Sequence, residues 1–322
     1  IVTIMVKART LAGAYPDASY KMRVRKLVPA PIAFEGGMAT NTTHTNTYEF
    51  FKVEVPADAL GWDIRLTNVN SSSPLLIVGR DYLPLNMTTV GWNPALDDFW
   101  PSGADWIAGK DWTQRTFASD GVVNQDGRLL AMGMGRPLEP GTYYVGVFND
   151  AFPQPMSYTV VSRGIGSTNS IPVTDLTFAG GSLTVTNLLP REAAYYRVII
   201  PANAKSWRTK LTTLTGESML VMLTNSVPSV LSGRASNPGE LMQKTGNEHF
   251  VMLPLSPQLF LNPGTNFLAV VSEGMVGTNV PPRIGTNASS FIIESLGELA
   301  AIDLGTVSST NLMITNVLEG GE

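Results

Sequence analysis

Two anchors that recur in the same order constrain this chain more than any other feature. Tyr48-Glu49-Phe50-Phe51-Lys52-Val53-Glu54-Val55-Pro56-Ala57 returns as Ala194-Tyr195-Tyr196-Arg197-Val198-Ile199-Ile200-Pro201-Ala202. Six residues after each Pro stands a Trp, Trp62 and Trp207. The second anchor, Glu139-Pro140-Gly141-Thr142-Tyr143-Tyr144-Val145-Gly146-Val147, is matched by Asn262-Pro263-Gly264-Thr265-Asn266-Phe267-Leu268-Ala269-Val270. Each copy closes with one more apolar stretch, residues 156–162 or 289–295. Chance produces one such match; two in the same order indicate a structural unit written twice.

The unit is built from strands. Helical periodicity is almost missing, and its best candidate, residues 202–205, is too short to stand as a helix. Residues 48–55, 142–148, 157–161, 195–200, 211–214, 219–223, 267–271 and 291–293 read as strands, rich in aromatic and β-branched residues. Residues 75–78 form a continuous apolar run, as expected of a strand buried on both faces. Asp120-Gly121, Asp126-Gly127, Pro140-Gly141 and Pro263-Gly264 supply turns between them. The pattern predicts an all-β fold of tandem β-sandwich, jelly-roll-like domains. Complete units are expected over residues 29–165 and 170–296. Residues 164–170 make a linker short enough to restrict hinge motion. Residues 1–28 resemble the last strands of an earlier unit. Residues 299–317 echo 173–188, so 297–322 are expected to open a further unit. The chain therefore reads as a window on a longer array.

Composition excludes several chemistries. With no Cys, the chain has no disulfide framework, thiolate zinc site or cysteine nucleophile. A net charge of −4 makes nucleic acid a poor partner. No apolar run reaches the ~18 residues of a membrane span. Only His44 and His249 are available for proton transfer of the imidazole kind, and they fall in different units. Both are expected to face solvent. There is no Gly-x-Ser-x-Gly elbow and no His-Glu-x-x-His. Residues 103–110 suggest a phosphate loop, but the spacing is one residue too long and Asp111 stands where Ser or Thr is needed. No catalytic residue is assigned, and the chain is read as a non-enzyme.

One stretch departs from the repeat. Pro56 and Pro140 lie 84 residues apart, whereas Pro201 and Pro263 lie 62 apart. The surplus falls at residues 91–120, which hold Trp92, Trp100, Trp106 and Trp112, four of the chain's six Trp, among Asp97, Asp98, Asp105 and Asp111. Two readings stay open. In one, the insertion folds onto the sandwich and its indoles supply core that a long loop otherwise lacks. In the other, the Trp side chains form a recognition surface for sugar rings or a protein partner, and the carboxylates hold Ca²⁺ through oxygen ligands.

The anchors at residues 48–56 and 141–147, with Tyr158-Thr159-Val160, resemble the bacterial pre-peptidase C-terminal domain family. The second copy departs from that pattern with Asn266-Phe267 in place of Tyr-Tyr and with Phe291 in place of Tyr. The resemblance implies β-sandwich modules of exported, extracellular or surface-exposed bacterial proteins that are not themselves catalytic. It gives the leading expectation for function: a structural segment (spacer, stalk or filament unit) whose partners are neighbouring repeats or copies of itself. Incomplete units at both ends suggest head-to-tail polymerisation by strand complementation. The alternative is a carbohydrate- or partner-binding module acting through residues 91–120 on glycans or cell-surface components.

Overall fold

A computed structural model describes residues 4–6, 21–22, 27–44, 47–70, 74–83, 106–108, 128–129, 138–149, 154–190, 192–228, 240–242, 246–272 and 287–300. Among them all regular structure is strand. The expected partial units at the two ends fall almost wholly outside the described residues.

The first nine strands are β1 (Ala30–Pro31), β2 (Gly37–Thr43), β3 (Tyr48–Val55), β4 (Gly61–Thr67), β5 (Pro74–Arg80), β6 (Trp106–Ala108), β7 (Arg128–Leu129), β8 (Gly141–Asn149) and β9 (Met156–Ile165). They form two sheets, ordered β1-β3-β8-β5-β6 and β2-β9-β4-β7. Strand β1 runs parallel to β3 and lies outside the pattern of the other eight. Those eight alternate between sheets in the order of a jelly roll.

The next nine are β10 (Val173–Leu176), β11 (Ala179–Leu188), β12 (Ala193–Ile200), β13 (Trp207–Thr215), β14 (Ser218–Thr224), β15 (Glu240–Met242), β16 (Glu248–Met252), β17 (Gly264–Ser272) and β18 (Ser289–Gly297). Their sheets run β10-β12-β17-β14-β15 and β11-β18-β13-β16, the first pair repeated nine strands on. The registers agree as well. Val55 pairs with Gly141 at the end of β3, and Ile200 pairs with Gly264 at the end of β12. Pro56 and Pro201 therefore occupy equivalent places.

Alternation builds each core. Phe51, Val53 and Val55 of β3 meet Trp62, Ile64 and Leu66 of β4 inside the first sandwich. Tyr196, Val198 and Ile200 meet Trp207 and Leu211 inside the second. Leu76, Ile77 and Val78 are all fully buried, so β5 is covered on both faces as its unbroken apolar run requires.

Both Trp anchors solve one polar problem in one way. The Trp62 indole donates to Ser162 Oγ at 2.8 Å, and Ser162 Oγ donates to the Phe34 carbonyl at 2.7 Å. In the second unit Trp207 donates to Ser295 Oγ at 2.9 Å, which donates to the Phe178 carbonyl at 2.7 Å. Each Ser thus ties β9 or β18 to the turn entering β2 or β11. Those turns are Phe34-Glu35-Gly36-Gly37 and Phe178-Ala179-Gly180-Gly181. The second glycine of each has no room for a Cβ, which would strike the carbonyl oxygen of Ala33 or Thr177. Ser162→Ala strands a buried indole N–H and a buried carbonyl, each costing about 1–3 kcal/mol. A urea midpoint unchanged from the parent would contradict this.

Two local readings change, at β2 and at His249, and one departure between the copies gains a physical account. Strand β2 was not expected from its Gly, Thr and Asn content; its pairing to β9 across all seven residues determines it. Asn266 takes the buried place of Tyr143, and its carboxamide oxygen accepts from Thr224 Oγ1 at 2.8 Å. His44 is exposed as expected, but His249 is buried, in β16 opposite Lys210 of β13.

Candidate functional site

A four-membered cluster of charged side chains joins the two sandwiches. In β4 the residues between Trp62, Ile64 and Leu66 point out of the first core, so Asp63 and Arg65 share the outer face. Arg163 of β9 lies opposite Asp63 on that face. The second unit contributes Glu192, immediately before β12. Arg65 Nε lies 2.8 and 2.9 Å from the two Asp63 oxygens. Its Nη1 and Nη2 reach Glu192 at 2.6 and 3.3 Å. Arg163 Nη2 binds Glu192 Oε2 at 2.9 Å and also donates to Asp63. Two acids and two bases close a neutral ring in which Arg65 forks across the junction.

Burial makes this ring matter. The side chains of Asp63 and Arg65 are 7% and 13% exposed. Burial disfavours the Asp63 carboxylate, but Arg65 and Arg163 outweigh it and hold its pKa below the usual range. Burial likewise opposes the charge on Arg65, and Asp63 and Glu192 reverse the balance and raise its pKa. Tyr195 is buried beside the ring, and burial raises the pKa of its phenol.

The linker is fixed separately. The Glu35 carboxylate accepts the backbone N–H groups of Gly164 and Ser170, both at 2.8 Å, and the Ser170 hydroxyl. Gly166 N–H donates to the Ile171 carbonyl at 3.0 Å, and Ile171 N–H donates to the Gly164 carbonyl at 3.2 Å. Ile165, Ile171, Val173 and Tyr195 then belong to one apolar cluster with the first core. That cluster includes Met219, Val221, Phe267, Ala269 and Val271 of the second five-stranded sheet.

A second feature is a groove of about 560 Å³ at one side of the second sandwich, lined by Met222, Phe250, Met252, Leu255, Leu261 and Asn266 among others. None of its described lining residues is acidic, basic or His.

Asp97, Asp98, Asp105 and Asp111 lie outside the described residues, as do Trp92, Trp100 and Trp112. Trp106 is placed by its backbone alone, at the start of β6 opposite Val78. Among the described residues no group of three His, Asp or Glu side chains is arranged to hold a metal ion. No helix among them is long and apolar enough to cross a membrane.

No protein-family model matches the chain, and no curated protein matches it. Solved structures give distant likenesses. The CUB1-EGF-CUB2 domains of rat MASP-1 align over 82% of this chain and 99% of their own, at 6% identity and a TM-score of 0.22. A putative secreted protein from Eubacterium rectale aligns over 81% of this chain and 74% of its own, at 9% identity and a TM-score of 0.21. Tripeptidyl peptidase 2 aligns over 84% of this chain and 27% of its own, at 8% identity and a TM-score of 0.23. Superpositions this loose carry nothing over to this chain.

The junction residues gave no sequence signal as a group. Asp63 and Arg65 alternate with apolar residues, the pattern of a strand with one solvated face. The repeated Phe-x-Gly-Gly turns were a usable signal, since they stand at equivalent distances before Pro56 and Pro201 to within one residue.

Away from the junction, Glu217 is buried, and both carboxylate oxygens accept from Gly246 N–H at 3.1 Å. Burial raises its pKa above 4.5, and the Gly246 hydrogen bond only partly offsets this. A carboxyl with a raised folded pKa loses stability as pH climbs from its unfolded value through the folded one. Glu217→Gln keeps an acceptor and removes the charge. It is expected to melt higher than the parent at pH 7, with the gap closing below pH ~4. A lower melting temperature at pH 7 would sink this assignment.

Proposed function

We propose that the chain is a non-catalytic structural segment of a large exported bacterial repeat protein, a stiff spacer of jelly-roll modules. The observation that carries this reading is the junction. A flexible tether needs no buried ion ring, no carboxylate clamp on its linker and no shared apolar cluster. Here all three act on one connection of a few residues. Interfaces between domains of one chain are commonly small and polar, and relative motion is then the default. Burying charge between units costs several kcal/mol per ion unless each charge is paired. Completed pairing of this kind favours one docking geometry over others. Resemblance of the repeated anchors to pre-peptidase C-terminal modules supports the exported setting.

The test measures the junction directly. The chain has no Cys, so Asp58→Cys and Lys205→Cys introduce a unique label pair, one in each sandwich. Both positions are exposed. Electron–electron distance measurements are expected to give a single narrow distribution, unchanged between low and moderate salt. A broad or multimodal distribution would overturn the spacer reading.

A further inference from the structure

Among the described residues the four sheets have eight edge strands, and six of them are poor templates for another chain. Strands β1, β6, β7 and β15 are two or three residues long. Strand β10 has four residues and includes Asp175. Strand β16 has five and opens on Glu248-His249. Brevity and charge are the usual means of keeping an edge from pairing. The exceptions are β2, with seven residues, and β11, with ten. Neither contains a charged residue or Pro, and they hold the same position in their sandwiches. Ser182, Thr184, Thr186 and Asn187 of β11 are exposed, as are Met38, Thr40 and Thr42 of β2. The same uncharged edge is thus built twice in one molecule, regular along β2 and interrupted in β11 by bulges at residues 179–181 and 185–188.

We infer that β11 is an assembly edge, and that its occupant is β11 of a second copy of this chain, paired antiparallel about a two-fold axis at Thr184. This deepens the structural-segment reading and rests on it. The free N–H and C=O groups of an edge strand are satisfied by an extended backbone. The side chains select which one. About Thr184, inside the regular stretch 181–185, Leu183 comes opposite Val185 and Thr184 opposite itself, so apolar groups meet apolar groups and hydroxyl meets hydroxyl. The chain already makes such pairs at the corresponding edge of the first unit, where Thr40 Oγ1 lies 3.0 Å from Thr159 Oγ1 and Thr42 Oγ1 lies 3.1 Å from Ser157 Oγ. Leu183 and Val185 rest partly buried on the second core, so pairing continues its apolar layer across the dimer. An acidic or basic peptide finds no opposite charge along the ten residues of β11. A two-fold pairing of this kind is closed.

The full chain is tested by sedimentation and by a short bis-maleimide. Thr184→Cys is expected to crosslink to itself in a concentration-dependent way, while Lys205→Cys, exposed but outside β11, is not. Thr184→Lys places two ammonium groups opposite each other and is expected to weaken self-association roughly tenfold or more. Circular dichroism confirms that each variant keeps its fold. A chain that stays monomeric overturns the inference, as does a dimer indifferent to Thr184→Lys or one that crosslinks equally from Lys205→Cys. A monomer with a narrow distance between labels at 58 and 205 sinks the edge pairing and leaves the spacer reading standing.

Discussion

Trp62→Ala is expected to lower the unfolding free energy of the first sandwich by about 3–5 kcal/mol, and Trp207→Ala to do the same to the second. Both indoles are fully buried. The Trp62 ring lies edge-on to Tyr143 at 5.6 Å and tilted against Phe34 at 6.1 Å. Removing it opens a cavity that two stacked sheets cannot collapse around, because the ladders on both sides fix their backbones. The polar part of the loss is small. Ser162 still donates to the Phe34 carbonyl after the indole is gone, so no buried donor is orphaned. Trp62→Phe retains most of the volume and is expected to cost less than half as much. Urea unfolding followed by far-ultraviolet dichroism measures all three variants. A loss under ~1 kcal/mol for Trp62→Ala would show that the ring does not sit in a packed core.

The repeat was legible because its anchors are the residues a jelly roll cannot vary freely. Pro56 and Pro201 end strands at the same register, and Gly141 and Gly264 begin the partners of those strands. Trp62 and Trp207 fill the same cavity position. Apolar residues under packing constraint leave a pattern that a single chain shows when it is compared with itself. Strand β2 was not legible, because Thr-Asn-Thr-Thr reads as a loop until its partner β9 is known. The junction was hidden for a different reason. A charge buried between units and a charge facing water give the same alternation along a strand, and only the neighbour distinguishes them. The same ambiguity hides His249: a polar residue at a strand start reads as solvated, and only its burial in the folded chain distinguishes it.

Arg65→Ala should be the most disruptive single change at the junction, costing about 3–5 kcal/mol at neutral pH. Arg65 touches both Asp63 in its own sandwich and Glu192 in the next. Without it Asp63 is 7% exposed with only Arg163 to balance it, and Glu192 loses its two-pronged contact across the boundary. Removing one member of a buried ion network is costlier than the network's net worth, because the remaining charges stay desolvated. Two signatures separate this from ordinary destabilisation. The first is coupling: the parent is expected to melt in one calorimetric transition, and Arg65→Ala in two. The second is pH. With its folded pKa depressed, Asp63 contributes stability that is complete above the ordinary aspartate range, near pH 4, and is lost as pH falls below it. Asp63→Asn, which cannot ionise, should therefore show a flatter fall in stability below about pH 4 than the parent does. If Arg65→Ala keeps a single transition at the parent's temperature, the ring does not couple the sandwiches. Stiffness would then have to come from the Glu35 clamp and the apolar contact around Tyr195 alone.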